Sequence, residues 1–197
     1  MADPDRKRPW QVLRSTYAVA DQWLRLRNDV VQAPDGQTLP PRPVIEHPDW
    51  VDVIALTADF DIVLVEQYRH SVGSVRTEFP AGTVDAGEQP LAAIQRELLE
   101  ETGYASDEWL LLGSAPVWPE LQTNRIHSFL ALNARRTADQ ALDEGEVIHA
   151  YELPFTQFIE QVESAAIELP ALQLAGLWWL HARLTGRGVP GISIPFP

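Results

Sequence analysis

Apolar and polar positions alternate through the first quarter of the chain. The segments VLRSTYAVA (12–20) and WLRLRNDVVQ (23–32) carry β-branched residues at strand spacing. Ala33-Pro34-Asp35-Gly36 then signals a turn, followed by Leu39, the proline-rich PPRP (40–43) and VIEH (44–47). Residues 1–9 read as a polar, frayed start. Residues 10–47 read as a small antiparallel sheet, so the chain divides into an N-terminal β segment over 1–47 and a main domain over 48–197. VDVIALT (51–57) and DIVLVEQ (61–67) flank Ala58-Asp59-Phe60 as a buried hairpin, and Tyr68 to Phe79 read as an arginine-bearing loop. Further strands are expected at WLLLGSA (109–115), RIHSFLALN (125–133) and VIHAYEL (147–153). The period changes to that of a helix in three places. Leu91, Ile94 and Leu98 form one apolar stripe, Phe155, Phe158, Ile159 and Val162 a second behind Pro154, and Leu172, Ala175, Trp179 and Leu180 a third behind Pro170. The tail GRGVPGISIPFP reads as a loose cap. Strands and helices intermix without a repeat, which favours an α/β class, an α/β/α sandwich around a mixed sheet.

The first of these helices carries the informative charges. Pro90 suits its first turn and Gly103 the left-handed position just past its end. Glu97 and Glu101 stand four apart, so their carboxylates stack on one face; Glu100 joins them, and Glu88 waits in the preceding loop. Glu101 projects only about 20° from Ile94 around the axis, beside the apolar stripe. Crowded carboxylates next to a core repel one another and resist desolvation. Their natural neutralising partner is a hard divalent cation, Mg²⁺ or Mn²⁺. Arg96, four before Glu100, can pair with it but cannot balance the whole cluster. An acidic helical face taken alone is ordinarily a solvated face.

The complete spacing decides against that bland reading. Gly82, five residues, Glu88, seven residues, then Arg96-Glu97-Leu98-Leu99-Glu100-Glu101-Thr102-Gly103-Tyr104 resembles the Nudix box, GX5EX7REUXEEXGU, at every fixed position. The resemblance implies the Nudix fold and metal-dependent hydrolysis of a nucleoside diphosphate linked to another group. Val65-Glu66-Gln67-Tyr68-Arg69, the approach Glu78-Phe79-Pro80-Ala81-Gly82, the separate N-terminal β segment, and Pro119, sixteen residues after Gly103, are similar to the ADP-ribose pyrophosphatase and nucleoside diphosphate sugar hydrolase branch. That likeness implies a homodimer with exchanged N-terminal segments that help enclose the nucleotide. The loop PVWPELQTNR (116–125) departs from the Ser-Pro-Gly-like sequence common in the branch, which leaves the sugar end of the substrate open.

As the resemblance implies, Glu97 and Glu101 hold Mg²⁺ with help from Glu100 and the backbone carbonyl of Ala81, and Arg96 orients the glutamates. The branch keeps a mobile glutamate in the position of the DEGE segment, which makes Glu144 the favoured base and Glu146 an additional metal ligand; DEGE by itself is an ordinary solvated turn. Arg69 is the candidate for the diphosphate, because guanidinium makes forked contacts to phosphate oxygens. Glu78 is a candidate for a ribose or nucleobase edge. Trp10, Trp23 and Trp50 could stack on a base, although a single tryptophan is more often core; Trp178 and Trp179 read as helix packing. His70, His127 and His149 have no ligand-like spacing, so zinc is not expected.

Composition narrows the partners. The 197 residues are 45% hydrophobic and 22% charged, with a formal charge of −13 and no cysteine. Such a surface repels polyanions, so nucleic acid is not an expected partner, and small anionic substrates need a local inversion of the field. No apolar run is long enough for a membrane span, and the N-terminus lacks a signal-peptide core. Absence of cysteine fits a reducing cytoplasm. Three functional readings follow: an ADP-ribose or nucleotide-sugar pyrophosphatase, a Nudix hydrolase of another nucleotide class such as triphosphates or dinucleotides, and a non-catalytic nucleotide sensor.

Overall fold

The computed structural model describes residues 9–22 and 24–186. The expected polar start, Trp23 and the C-terminal tail beyond Gly186 lie outside the described residues. The chain forms two compact units, one reaching to Pro48 and including Pro116–Asn124, the other made of Asp49–Ala115 and the chain from Arg125 on.

The N-terminal unit is a three-stranded antiparallel sheet in the order β1 (Gln11–Ala20), β2 (Arg25–Gln32), β3 (Arg42–Glu46). The predicted turn closes through the Gly36 N–H donating to the Ala33 carbonyl at 2.9 Å, with Gly36 at φ +88°. Charge pairs hold one face together. Arg27 donates to Asp29 at 3.0 Å and also pairs with Glu46, while Arg25 donates to Glu46 at 2.8 Å. The departing loop packs here as well: Ile45 donates to the Leu121 carbonyl at 2.7 Å and Thr123 donates back to Ile45 at 3.1 Å. Every residue of β1 is exposed, and β1 is an edge of its sheet.

In the second unit, a mixed sheet runs in the order β12 (Ile148–Pro154), β5 (Asp61–Arg69), β4 (Trp50–Leu56), β10 (Arg125–Leu132), β9 (Glu108–Pro116). The β4–β10 pairing is parallel, and the β4–β5 and β5–β12 pairings are antiparallel. Two short strands branch from this path: β6 (Ser74–Glu78) pairs with β5 and β7 (Ala81–Thr83) with β4. A further two-residue pair joins β8 (Tyr104–Ala105) to β11 (Arg135–Arg136). The strand alternation sorts the core into two layers. Val51, Val53, Ala55, Val63 and Phe129 pack with Ile94 and Leu98 of α1 (Pro90–Thr102) on one face. Ile54, Leu56, Ile62, Leu64 and Leu130 pack on the other face with Phe155, Phe158 and Ile159 of α2 (Phe155–Glu163) and Leu180 of α3 (Ala171–Gly186). The α/β/α sandwich is therefore present, and no described helix is long and apolar enough to cross a membrane.

Four local expectations are corrected. The segment read as a loop before the box is a hairpin, because β5 continues to Arg69 and Ser74–Glu78 return along it. Leu91 is exposed; the buried stripe of α1 is Ala93, Ile94, Leu98, Glu101 and Thr102, so the helix is rotated toward its acids. Val147 is exposed and the last strand begins at Ile148. Trp178 is exposed and stacks on His181, whereas Trp179 packs so closely over Gly113 that a Cβ there would lie 2.3 Å from its ring.

Candidate active site

Local sequence fixes α1 tightly at both ends. Pro90 enters the first turn, and Gly103, at φ +76°, donates its N–H to the Leu99 carbonyl at 2.8 Å. Arg96 then gathers three of the four box acids. Its Nη1 donates to Glu97 at 2.9 Å and to Glu100 at 3.1 Å, while its Nη2 donates to Glu88 at 3.1 Å and to the Thr83 carbonyl at 3.2 Å. These bonds, led by the one to Glu88, raise the arginine's pKa. Arg96 thus ties Glu88, Glu97 and Glu100 to one guanidinium.

Glu101 is the acid that Arg96 does not reach. It is 4% exposed and accepts the Ala81 N–H at 3.0 Å. Burial pushes its pKa up to about 8, and the neighbouring carboxylates Glu97 and Glu146 push in the same direction. Burial also raises Glu97, against the pull of Arg96. Gly82 explains how the two acids meet. Its φ is not left-handed, but a Cβ on it would lie 2.0 Å from Glu97 Oε1. The box glycine is thus a space for a carboxylate rather than a turn residue. Among the described residues no three Asp, Glu or His side chains converge as a ready-made metal cluster. Glu97 and Glu101 converge as a pair on Ala81–Gly82. Hard oxygen donors, partly or wholly buried and mutually repelling, have the chemistry that suits Mg²⁺ or Mn²⁺. Glu97 and Glu101 are the pair that fits such an ion, and Glu146 is near enough to act on both electrostatically.

These acids line one side of a cleft of about 780 Å³ that is also lined by Gln67, Arg69, Arg76, Glu78 and Gln173. Arg69 donates through Nε and Nη2 to the two oxygens of Glu78, at 3.0 and 2.6 Å. Glu78 is buried, so the sequence candidate for a sugar or base edge is engaged with the candidate for the diphosphate. Gln173 of α3 holds the strand end in place: it accepts the Phe79 N–H at 2.8 Å and donates to the Phe79 carbonyl at 3.1 Å. The acidic loop divides its two candidates. Glu146 lines the cleft and caps its own turn by accepting the Asp143 N–H at 3.0 Å; Glu144 does not line it. Trp50 lines the cleft, and Trp10 lies in the N-terminal unit with the Arg42 guanidinium 5.3 Å from its ring centre.

Sequence reasoning missed several lining residues. Arg76 was visible in principle, since it stands two before Glu78 and strand alternation puts both on one face. Asp52 was visible too, as the single acid in the apolar run of β4. It is 1% exposed, neither carboxylate oxygen has a hydrogen-bond partner of good geometry, and burial raises its pKa to about 7 although Ser128 stands beside it on β10. Glu168 carried no signal, because only the fold brings the α2–α3 loop to this cleft.

Comparisons with known proteins show the family. Residues 46–172 match the NUDIX domain, and residues 10–45 match the nucleoside diphosphate sugar hydrolase N-terminal domain. The chain is 36% identical over 160 residues to a methanol dehydrogenase activator of Bacillus methanolicus, covering 80% of this chain and 85% of that protein. It is 30% identical to an ADP-ribose pyrophosphatase of Mycobacterium tuberculosis, covering 84% and 80% of the two chains. A GDP-mannose pyrophosphatase of Klebsiella pneumoniae is 29% identical, with 81% and 89% covered. A solved ADP compounds hydrolase shares the fold with a TM-score of 0.78 over 92% of this chain and 97% of its own, at 18% identity. The box geometry and the two family matches together place this chain in the Nudix hydrolase family, in the branch that joins the Nudix domain to a nucleoside diphosphate sugar hydrolase N-terminal domain.

Proposed function

We propose that this enzyme hydrolyses the diphosphate of ADP-ribose or a related nucleoside diphosphate sugar, giving a nucleoside monophosphate and a sugar phosphate. The observation that carries this reading is the pairing, in one cleft, of the half-buried Glu97 and the buried Glu101 with the forked guanidinium of Arg69. Mg²⁺ or Mn²⁺ bound there would offset charge on the phosphate oxygens and acidify a water. The protein's own part is to position. Arg96 fixes Glu97 and Glu100, the Ala81 N–H fixes Glu101, and Glu78 presents Arg69 with its outer N–H groups free for the diphosphate. Water oxygen bonds to one phosphorus, the bridging P–O bond breaks, and a carboxylate accepts the water's proton. Glu146 takes that role, since it is the acidic-loop glutamate that lines the cleft; Glu144 is assigned none.

ADP-ribose ranks first because relatives covering most of both chains are named ADP-ribose pyrophosphatase; GDP-mannose is the second candidate on the same ground. The N-terminal sheet supports a homodimer, because its fully exposed edge strand β1 leaves Val12, Leu13, Tyr17 and Val19 to be covered by a second copy. A panel with Mg²⁺ tests the substrate: ADP-ribose, ADP-glucose, GDP-mannose, NADH, diadenosine polyphosphates and dGTP, with the released phosphate species identified. Hydrolysis confined to triphosphates would remove this reading, and tight binding without turnover would make the protein a sensor.

A further inference from the structure

The cleft holds a second arginine whose partner is of a different kind. β6 presents Ser74, Arg76 and Glu78 to one side, and the β5 register pairs Arg69 with Ser74 and Gln67 with Arg76. Arg69 and Arg76 are therefore diagonal neighbours on one face of the ladder, a separation that long side chains bridge. Two guanidinium groups so placed repel unless anions lie against them. Glu78 supplies one anion and is 5% exposed at its side chain, so releasing Arg69 would strand a buried carboxylate. Glu168 supplies the other: Arg76 Nη1 donates to its Oε2 at 2.6 Å, but the Glu168 side chain is 67% exposed. Water can take over that carboxylate at little cost.

The charge balance of the cleft makes this difference matter. Its lining acids are Asp52, Glu78, Glu97, Glu101, Asp143, Glu146 and Glu168, against Arg69 and Arg76 alone as cations among the described residues. An entering diphosphate meets a negative field. The cation that can be handed over to it is the one whose present partner is already in solvent.

We propose that Arg76 is a second diphosphate-binding residue, held by Glu168 until the substrate's phosphate oxygens replace that carboxylate. Arg69 and Arg76 then form a two-guanidinium clamp on the dianion, and Glu168 competes with the substrate. This rests on the nucleotide-diphosphate reading above and adds a residue and a competitor that the box does not contain.

The two partners of the ion pair should act in opposite directions. Arg76→Gln is expected to raise KM for the nucleotide sugar about 10-fold with kcat little changed, the range of a lost hydrogen bond to a charged group. Glu168→Gln is expected to lower KM about 2-fold, the scale of an exposed ion pair. Calorimetric binding of α,β-methylene-ADP, which is not hydrolysed, should follow the same two directions, and thermal melting should show both variants folded. If the bridge is only structural, both substitutions will shift KM and melting temperature in the same sense, and the inference fails. Normal KM in Arg76→Gln with active wild-type enzyme also overturns it while leaving the proposed function intact. Should the wild type hydrolyse no nucleotide sugar yet bind α,β-methylene-ADP in an Arg76-dependent way, the substrate reading fails and the clamp stands.

Discussion

The two charged walls of the cleft meet the same problem, buried or crowded charge, in opposite ways. On the β5–β6 wall each guanidinium has a carboxylate: Arg69 has Glu78 and Arg76 has Glu168. On the α1 wall, Arg96 serves Glu88, Glu97 and Glu100 together, and Glu101 receives only a backbone N–H. One wall is neutral within itself; the other carries an excess of negative charge that the protein leaves uncompensated. Burial, with the neighbouring carboxylates acting in the same direction, raises Glu101 to about 8. A wall with surplus carboxylate attracts cations, and a wall with exchangeable ion pairs accepts anions. On the proposed function, an anion and a cation would enter the cleft together.

The largest break in this contrast is Glu101→Gln. It removes the uncompensated charge while keeping the shape, and turnover should fall by more than about 100-fold, beyond what loss of a supporting partner costs. Melting of the cation-free protein should be unchanged or raised, because a buried carboxylate is relieved. Gly82→Ala leaves every charge in place but puts a methyl where Glu97 lies, 2.0 Å from its Oε1. We expect a loss of about 10- to 100-fold in activity together with weaker Mg²⁺ binding by calorimetry. Unimpaired Mg²⁺ binding would show that Glu97 need not lie against Gly82. On the other wall, Arg69→Lys keeps the charge and loses the fork to Glu78; KM should rise about 10-fold with a smaller change in kcat.

Asp52 isolates burial from metal binding and carries the smallest functional effect. Its carboxyl keeps a proton in the folded state up to about 7, against an ordinary value of 3.8. Between those values the folded protein holds one more proton than the unfolded chain, so stability falls as pH rises through that window, by up to about 4 kcal/mol. Denaturation of Asp52→Asn measured from pH 4 to pH 7 should lack this loss, with turnover near normal. A wild-type slope identical to that of the variant would place the Asp52 titration elsewhere.

The sequence made the acidic wall legible and left much of the basic wall hidden, for a physical reason. Glu97, Glu100 and Glu101 lie on one helix, where a fixed period converts spacing into a shared face, and Glu101's nearness to Ile94 already foretold its burial. Arg69 and Glu78 are nine residues apart on two strands, so their meeting depends on a strand register that a loop over Tyr68–Phe79 would not contain. Glu168 comes from between α2 and α3 and is placed by tertiary packing alone. The same limit governed Leu91: the apolar spacing was correct, but the helix turned its acids rather than that leucine toward the interior.

The central claim is that Glu97 and Glu101 bind a divalent cation without which the diphosphate is not cleaved. The most direct test is ADP-ribose turnover by metal-stripped protein titrated with Mg²⁺, wild type beside Glu101→Gln. The expected result is no turnover without the ion, saturable activation of the wild type, and a variant that stays folded yet is not rescued. Full activity in the stripped wild type, or near-normal activation of the variant, would contradict it.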